Sequence, residues 1–263
     1  MSEELLLIRR EGPICTLSIN RPGKRNSLNP EIFLRLGDTL KDLRGDPEVR
    51  GVIIRGVGED AFSSGFDIGR IFEESNARGG RSGPDPMEYG LDSVAGFPYP
   101  VIAMIYGYAV GAGLELAAAC DLRIAADTAR LGITPAKLGV VYSPGGIRRF
   151  IDLVGVARTR ELFYTGRIID APRALQIGLV DHVLPAAEVE AYTYDLSREI
   201  AENAPLSVKG TKAITARLLR PGGPGTEDTA LFEALRREAW ESRDVKEGRR
   251  AFLAKEKPNF TGR

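Results

Sequence analysis

The sequence is poor in the residues that staple a fold or bind a metal. Only two cysteines, Cys15 and Cys120, stand among 263 residues, each inside an apolar run. A disulfide framework and a Cys-rich metal centre are therefore excluded, and a reducing, cytoplasmic setting is expected. The single histidine, His182, rules out a multi-histidine zinc site and leaves a nucleophile–His–acid triad only one candidate base. Its place in GLVDHVLP, at a strand edge, marks it as structural. Neither sign of charge predominates: 36 Lys and Arg balance 36 Asp and Glu. Bulk charge thus draws the chain to neither nucleic acid nor a membrane surface, and any anion site must be local. Long hydrophobic runs are missing too. The three-Leu stretch in MSEELLLIRREG is too short for a membrane span or a signal-peptide core, so no targeting segment is expected. What the chain does have is 43% hydrophobic residues, enough to bury one large core.

Cys15, Leu17 and Ile19 alternate with Thr16 and Ser18, the period of a half-buried strand, which Arg21-Pro22-Gly23 breaks. Asn29 caps a helix that has Pro30 in its first position and an apolar stripe of Ile32, Phe33, Leu36, Leu40 and Leu43, ending near Gly45. A β-branched strand over 49–57 completes a βαβ unit and places the chain in the α/β class. Residues 73–92 show no period and carry Gly, Pro, Ser and Arg, which predicts a mobile surface segment, either a lid or a connection. Farther on, 101–106 reads as a strand, 107–113 as a small-residue turn, 114–120 as an Ala-rich helix and 122–125 as a strand. From Asp170 onward helices dominate. Asp170 caps a short helix ended by Gly178, helices follow over 189–204 and 206–219, and the Pro-Gly run at 221–225 breaks the chain. Thr226 then caps a helix to about residue 242, and a last helix passes Phe252 towards Pro258. This divides the chain into an α/β core over 1–200 and a C-terminal helical region over 201–263 that packs on the body or on another subunit.

Two loops draw the chemistry together, 61–68 (AFSSGFDI) and 107–116 (GYAVGAGLEL). Each follows a strand with small residues and then offers backbone N–H groups at a helix start, where they lack internal acceptors and the helix dipole is positive. Two such donors aimed at one thioester oxygen would stabilise an enolate, each being worth about 3 kcal/mol. In the second loop Glu115 lies among Leu114, Leu116, Ala117, Ala118 and Ala119, where a carboxylate has no packing role. Helical side chains lean towards the N-terminus, so Glu115 points back at the loops, as an acid–base group would. Gly111 and Gly113 alone are a weak signal that suits tight packing or a dinucleotide loop equally well. Leu116 stands where the third glycine of the dinucleotide pattern would be, and the motif lies mid-chain, so that fit is poor. By themselves Lys24 and Arg25 read equally well as solvated charges, and Tyr108 reads as core.

The two loops resemble the paired oxyanion segments of the enoyl-CoA hydratase/isomerase, or crotonase, family, and the likeness runs from CTLSINRPGKRNSLN through ACDLRIAA and GLVDHVLP to AFLAKEKPNF. The resemblance implies an α/β fold, a crotonase-like spiral of ββα turns with a C-terminal helical trimerisation region, assembled as a homotrimer or homohexamer. It implies an acyl-CoA substrate, with coenzyme A part of that substrate and no metal or redox cofactor. It places the Phe66 and Ala112 N–H groups in the oxyanion hole and gives Glu115 a catalytic role. Lys24 and Arg25 fall in the segment that meets the CoA phosphates, Ser64, Asp67 and Ile68 where adenine and pantetheine pass, and Gly111 beside the thioester.

One departure bears on the reaction. Family hydratases carry a second glutamate in the segment after the next strand, where this chain has Pro135. That segment, ITPAKLGVVYSPGGI, resembles instead the methylmalonyl-CoA decarboxylase branch, whose Thr-Pro and carboxylate-holding tyrosine are matched by Thr134, Pro135 and Tyr142. The same branch has a histidine at the place of Phe66. Decarboxylation needs the hole and a held carboxylate but no proton-abstracting base. The expectation is therefore a lyase or isomerase of acyl-CoA thioesters, with a decarboxylase-like or other single-glutamate reaction ahead of plain hydration or double-bond isomerisation. An inactive acyl-CoA-binding homologue is the rival from another class. Arg148, Arg149, Arg158 and Arg160, the nearest approach to an RNA-binding cluster, read as solvated faces or as CoA and subunit contacts.

Overall fold

A computed structural model describes residues 4–67, 85–220 and 222–263. Among these, two sheets and the helices between them repeat one pattern. The larger sheet contains β1 (Leu6–Glu11), β2 (Ile14–Ile19), β3 (Gly51–Gly56), β5 (Val101–Ile105), β7 (Leu122–Ala126) and β10 (His182–Leu184), in that spatial order. The smaller contains β4 (Ala61–Ser63), β6 (Tyr108–Val110), β8 (Arg130–Gly132) and β9 (Ile168–Asp170). After each of β3, β5 and β7 the chain crosses to the smaller sheet, as β4, β6 and β8, before it turns into a helix. This is the expected spiral of ββα turns. Pairing within it is parallel, with the antiparallel partners β1–β2 and β8–β9 at the ends.

Helix α1 (Pro30–Arg44) joins β2 to its parallel neighbour β3. It starts where expected because the Asn29 side chain accepts the Ile32 N–H at 2.9 Å and Pro30 needs no donor of its own. Its buried Ile32, Phe33, Leu36 and Leu40 belong to one core with Val52, Ile54, Val101 and Ala103. The alternate strand residues Ile53, Ile102, Met104 and Ile124 face a second core. Both faces of the sheet are thus covered at its central strands β3 and β5, which is why these read as nearly continuous apolar runs, while the edge strand β1 is mostly exposed.

The segment 73–92 is corrected in part. Residues 73–84 lie outside the described residues, but Pro86–Ala95 form a regular helix, α2, capped by the Asp85 side chain on the Met87 N–H and packed on α1. Then follow α3 (Ala112–Ala119), the one-turn α4 (Pro135–Leu138) and α5 (Pro144–Thr165), a helix the sequence did not announce, kinked at Gly155. Next come α6 (Ala171–Gln176), capped by Asp170 as read, and α7 (Ala186–Glu202). The latter covers the second core and is pinned to β2 by a buried hydrogen bond between the Tyr194 hydroxyl and Thr16 Oγ1 at 2.8 Å. The C-terminal helices are α8 (Pro205–Leu218), α9 (Thr226–Glu241) and α10 (Arg243–Ala254), with Gly225, not Thr226, at the N-cap of α9. No helix among the described residues is long and apolar enough to cross a membrane. Both thiols are buried. Cys120 closes α3, its Sγ donating to the Leu116 carbonyl at 3.4 Å, and burial pushes it up to about 12.

Asn26 fastens the first loop to the sheets. Buried and at φ 54°, it accepts the Arg21 N–H through Oδ1 at 3.1 Å, and its Nδ2 donates to the carbonyls of Val57 at 3.0 Å and Ala61 at 2.7 Å. Asn26→Ala should destabilise the fold by about 3 kcal/mol, one for each hydrogen bond. Urea unfolding checks this, and a change below about 1 kcal/mol would deny Asn26 that role.

Candidate active site

The smaller sheet presents three loops at the C-terminal ends of its parallel strands: 64–67 after β4, Gly111 after β6 and 133–134 after β8. Gly65 and Gly111 make the first two loops meet. Gly65 lies at φ 101°, and a Cβ there would come within 2.8 Å of the Val110 carbonyl oxygen and 3.7 Å of the Ala112 nitrogen. Gly111 lies at φ 55°, and a Cβ there would sit 3.6 Å from the Tyr142 hydroxyl. The positive φ calls for glycine at both positions, and at Gly65 the close approach to Val110 does so as well. Gly113 serves packing, since its missing Cβ leaves room for Ser63.

Leu28 bonds to the residues on either side of Phe66, donating to the Gly65 carbonyl and accepting from the Asp67 N–H, each at 2.8 Å. The Phe66 N–H therefore faces away from Leu28, and no acceptor engages it among the described residues. Its ring stacks near that of Phe33, with centroids 6.5 Å apart. Ala112 is the first residue of α3, so its N–H has no intrahelical acceptor, and none is found elsewhere among the described residues.

Both residues line a cavity of about 380 Å³ together with Ser64, Glu88, Glu115, Thr134 and Tyr142. Glu115 is 1% exposed. Burial raises its carboxyl to about 7, against the pull of Arg149, whose Nη1 donates to Glu115 Oε1 at 3.1 Å. The negative charge of Glu88 adds to the rise. Gly146 gives this carboxylate its space, because a Cβ there would come within 2.5 Å of Glu115 Oε1. Tyr142 packs edge-on against Phe163, and burial raises its phenol. Pro135 opens α4 on the cavity wall and brings no donor or acceptor side chain.

The remaining candidates divide. Lys24 and Arg25 lie in the loop ahead of α1, where the Arg25 carbonyl accepts the Ser64 N–H at 2.9 Å. Arg25 spreads over the ring of Tyr108, 5.5 Å from its centroid, so Tyr108 is a half-open platform rather than core. Asp67 is turned to Arg21 at 2.9 Å and Lys24 at 3.6 Å, and the Arg21 hydrogen bond holds its carboxyl below the usual range. Ile68 lies outside the described residues. His182 leans on Tyr192, with ring centroids 5.1 Å apart, and takes no part in the cavity. Arg149, read as part of a solvated face or as a CoA or subunit contact, instead turns inward to Glu115 at 3.1 Å, Asp92 at 2.9 Å and Glu88 at 3.4 Å. Glu88 itself was missed. The signal was present, since Asp85-Pro86 is a helix cap and Glu88 and Asp92 share a helical face four residues apart. No group of three metal-ligating side chains occurs among the described residues.

Comparison with known proteins agrees with this geometry. Residues 9–263 match the family model described as enoyl-CoA hydratase/isomerase. The chain is 32% identical over 263 residues to methylmalonyl-CoA decarboxylase of Escherichia coli, covering all of both proteins. It is 33% identical over 256 residues to the short-chain-enoyl-CoA hydratase of Clostridium acetobutylicum, covering 96% of this chain and 95% of that one. The crystal structure of an enoyl-CoA hydratase/carnithine racemase from Magnetospirillum magneticum superposes with a TM-score of 0.90 at 34% identity, covering 100% of this chain and 97% of the other. With the spiral of ββα turns, the paired loops and a match over nearly its whole length, the chain belongs to the enoyl-CoA hydratase/isomerase family.

Proposed function

We propose that this protein adds water to, or removes it from, the α,β-bond of an acyl-CoA thioester. The Phe66 and Ala112 N–H groups hold the thioester oxygen as the enolate forms, and Glu115 moves the proton at the α-carbon. The observation that carries this reading is Glu115 itself, a buried carboxyl raised to about 7 and opening on the same cavity as two N–H groups that find no acceptor among the described residues. A group that titrates near neutral pH both gives and takes a proton readily, and donors fixed before the reaction stabilise developing charge without reorganising. Coenzyme A enters as part of the substrate, its phosphates towards Lys24 and Arg25, with no metal or redox group. The same proposal has the chain assemble as a homotrimer or homohexamer in the cytoplasm. Trp240 and Phe252, 78% and 83% exposed on α9 and α10, suit burial between subunits.

Decarboxylation of a malonyl-type thioester is the second reading, favoured by Thr134 and Tyr142 in the cavity and by the full-length likeness to a methylmalonyl-CoA decarboxylase. The lining weighs against it. Asp85, Glu88 and Glu115 all border the cavity, and Arg149 already serves two of them, so a substrate carboxylate would meet acidic neighbours. Mass spectrometry of CoA thioesters incubated with the protein separates the outcomes. We expect crotonyl-CoA to gain one water and methylmalonyl-CoA to stay intact. Loss of carbon dioxide from methylmalonyl-CoA, with crotonyl-CoA unchanged, would reverse the order, and binding with every thioester unchanged would mark an inactive homologue.

A further inference from the structure

Adding water across a conjugated bond moves two protons, one from the water and one to the α-carbon, and Pro135 stands where the resemblance to the family's hydratases would put a second carboxylate. The cavity supplies one from elsewhere in the chain. Glu88, on α2, lines the same cavity as Glu115. The Ser143 hydroxyl donates to Glu88 Oε1 at 2.6 Å, and Arg149 Nη2 donates to Glu88 Oε2 at 3.4 Å while its Nη1 serves Glu115. Both carboxylates hang from one guanidinium, itself anchored to Asp92. They differ in access to water, the Glu88 side chain being 35% exposed and that of Glu115 2%.

We propose that Glu88 is the second acid–base group of this site, taking the proton of the water that adds at Cβ while Glu115 serves Cα. This rests on the hydration reading above. As the water oxygen bonds to Cβ, one of its O–H bonds breaks and the proton passes to the Glu88 carboxylate. The Cα–Cβ π pair moves into the thioester, and the enolate oxygen rests on Phe66 and Ala112. The enolate carbon then takes the proton of the Glu115 carboxylic acid. One water has been added, Glu88 has gained a proton and Glu115 has lost one, and exchange with solvent resets both. Dehydration runs in reverse.

Two readouts in deuterium oxide separate the roles: hydration of crotonyl-CoA, and exchange of the α-protons of butyryl-CoA, which needs the oxyanion hole and Glu115 but no added water. Glu88→Gln should lower hydration by about 100-fold or more and leave exchange within about threefold. Glu88→Asp should recover part of the hydration, and Glu115→Gln should lose both reactions. If Glu88→Gln fails to fold by circular dichroism, Ser143→Ala reads the same split, with hydration down about tenfold and exchange unchanged. Hydration retained in Glu88→Gln, or exchange lost in step with it, overturns the proposal, since Glu88 would then be idle or act only through Arg149. A wild type that exchanges α-protons yet adds no water sinks the hydration reading and the role of Glu88 with it, a failure visible before any variant is made.

Discussion

Glu115→Gln should lower turnover by about 100- to 10,000-fold while the thioester still binds, because the amide fills the same space, still accepts from Arg149 and cannot carry the proton. The wild type should show the matching pH dependence. Hydration needs the protonated carboxyl, so its turnover falls as pH rises through about 7; dehydration needs the carboxylate and falls as pH drops through the same value. Stability carries a second signature. The carboxyl stands near 7 in the fold against about 4.5 when free. Below the lower value both states are protonated and burial of the group has no electrostatic cost. As pH rises towards 7, the unfolded chain ionises first and the fold loses stability. Glutamine has no such transition, so Glu115→Gln should become the more stable protein relative to wild type between those limits, by up to roughly 3 kcal/mol, and the difference should level off above them. Urea unfolding at pH 4, 6 and 8 reads this directly. A difference independent of pH would mean that Glu115 is not raised.

Ala112→Pro should lower turnover by at least about 100-fold, the usual loss when one oxyanion donor is removed. Proline suits the first position of a helix, so α3 should still form. Its ring replaces the N–H hydrogen with a methylene that points where the thioester oxygen would rest. Affinity for an unreactive thioester should fall much less, because the oxyanion is complete only in the transition state and most CoA contacts lie elsewhere. Ala112→Gly, which keeps the N–H, is the control and should retain activity within about tenfold. A folded proline variant with unchanged turnover would remove Ala112 from the mechanism.

What could be read in advance was whatever neighbours along the chain decide. The alternation of Cys15, Leu17 and Ile19, the Asn29-Pro30 cap and the Asp170 cap each act within four residues, and β2, α1 and α6 begin where those signals put them. Strands of three residues, such as β4, β6 and β8, are too short to show a period, so the smaller sheet was invisible although it sets the site. Helix α2 was hidden because its cap follows a stretch rich in Gly, Ser and Arg. Phe66, Ala112, Glu115, Thr134 and Tyr142 do come together around one cavity. The carboxylate partners of Arg149 could not be read, because they lie 34, 57 and 61 positions away and an arginine met in sequence is by default a surface residue. The network that joins Glu115 to Glu88 is tertiary in origin, and no local pattern encodes it.

The buried thiol at the end of α3 gives this fold an internal clock. A thiolate, not a thiol, attacks alkylating reagents, and burial holds Cys120 in its thiol form at neutral pH. With its thiol held against the Leu116 carbonyl, Cys120 should react mainly in molecules in which the end of α3 has come open. The helix carries Ala112 at its first position and Glu115 one turn in. The rate at which Cys120 is labelled should therefore measure how often the C-terminal end of α3 opens, in the helix whose first turn carries Ala112 and Glu115.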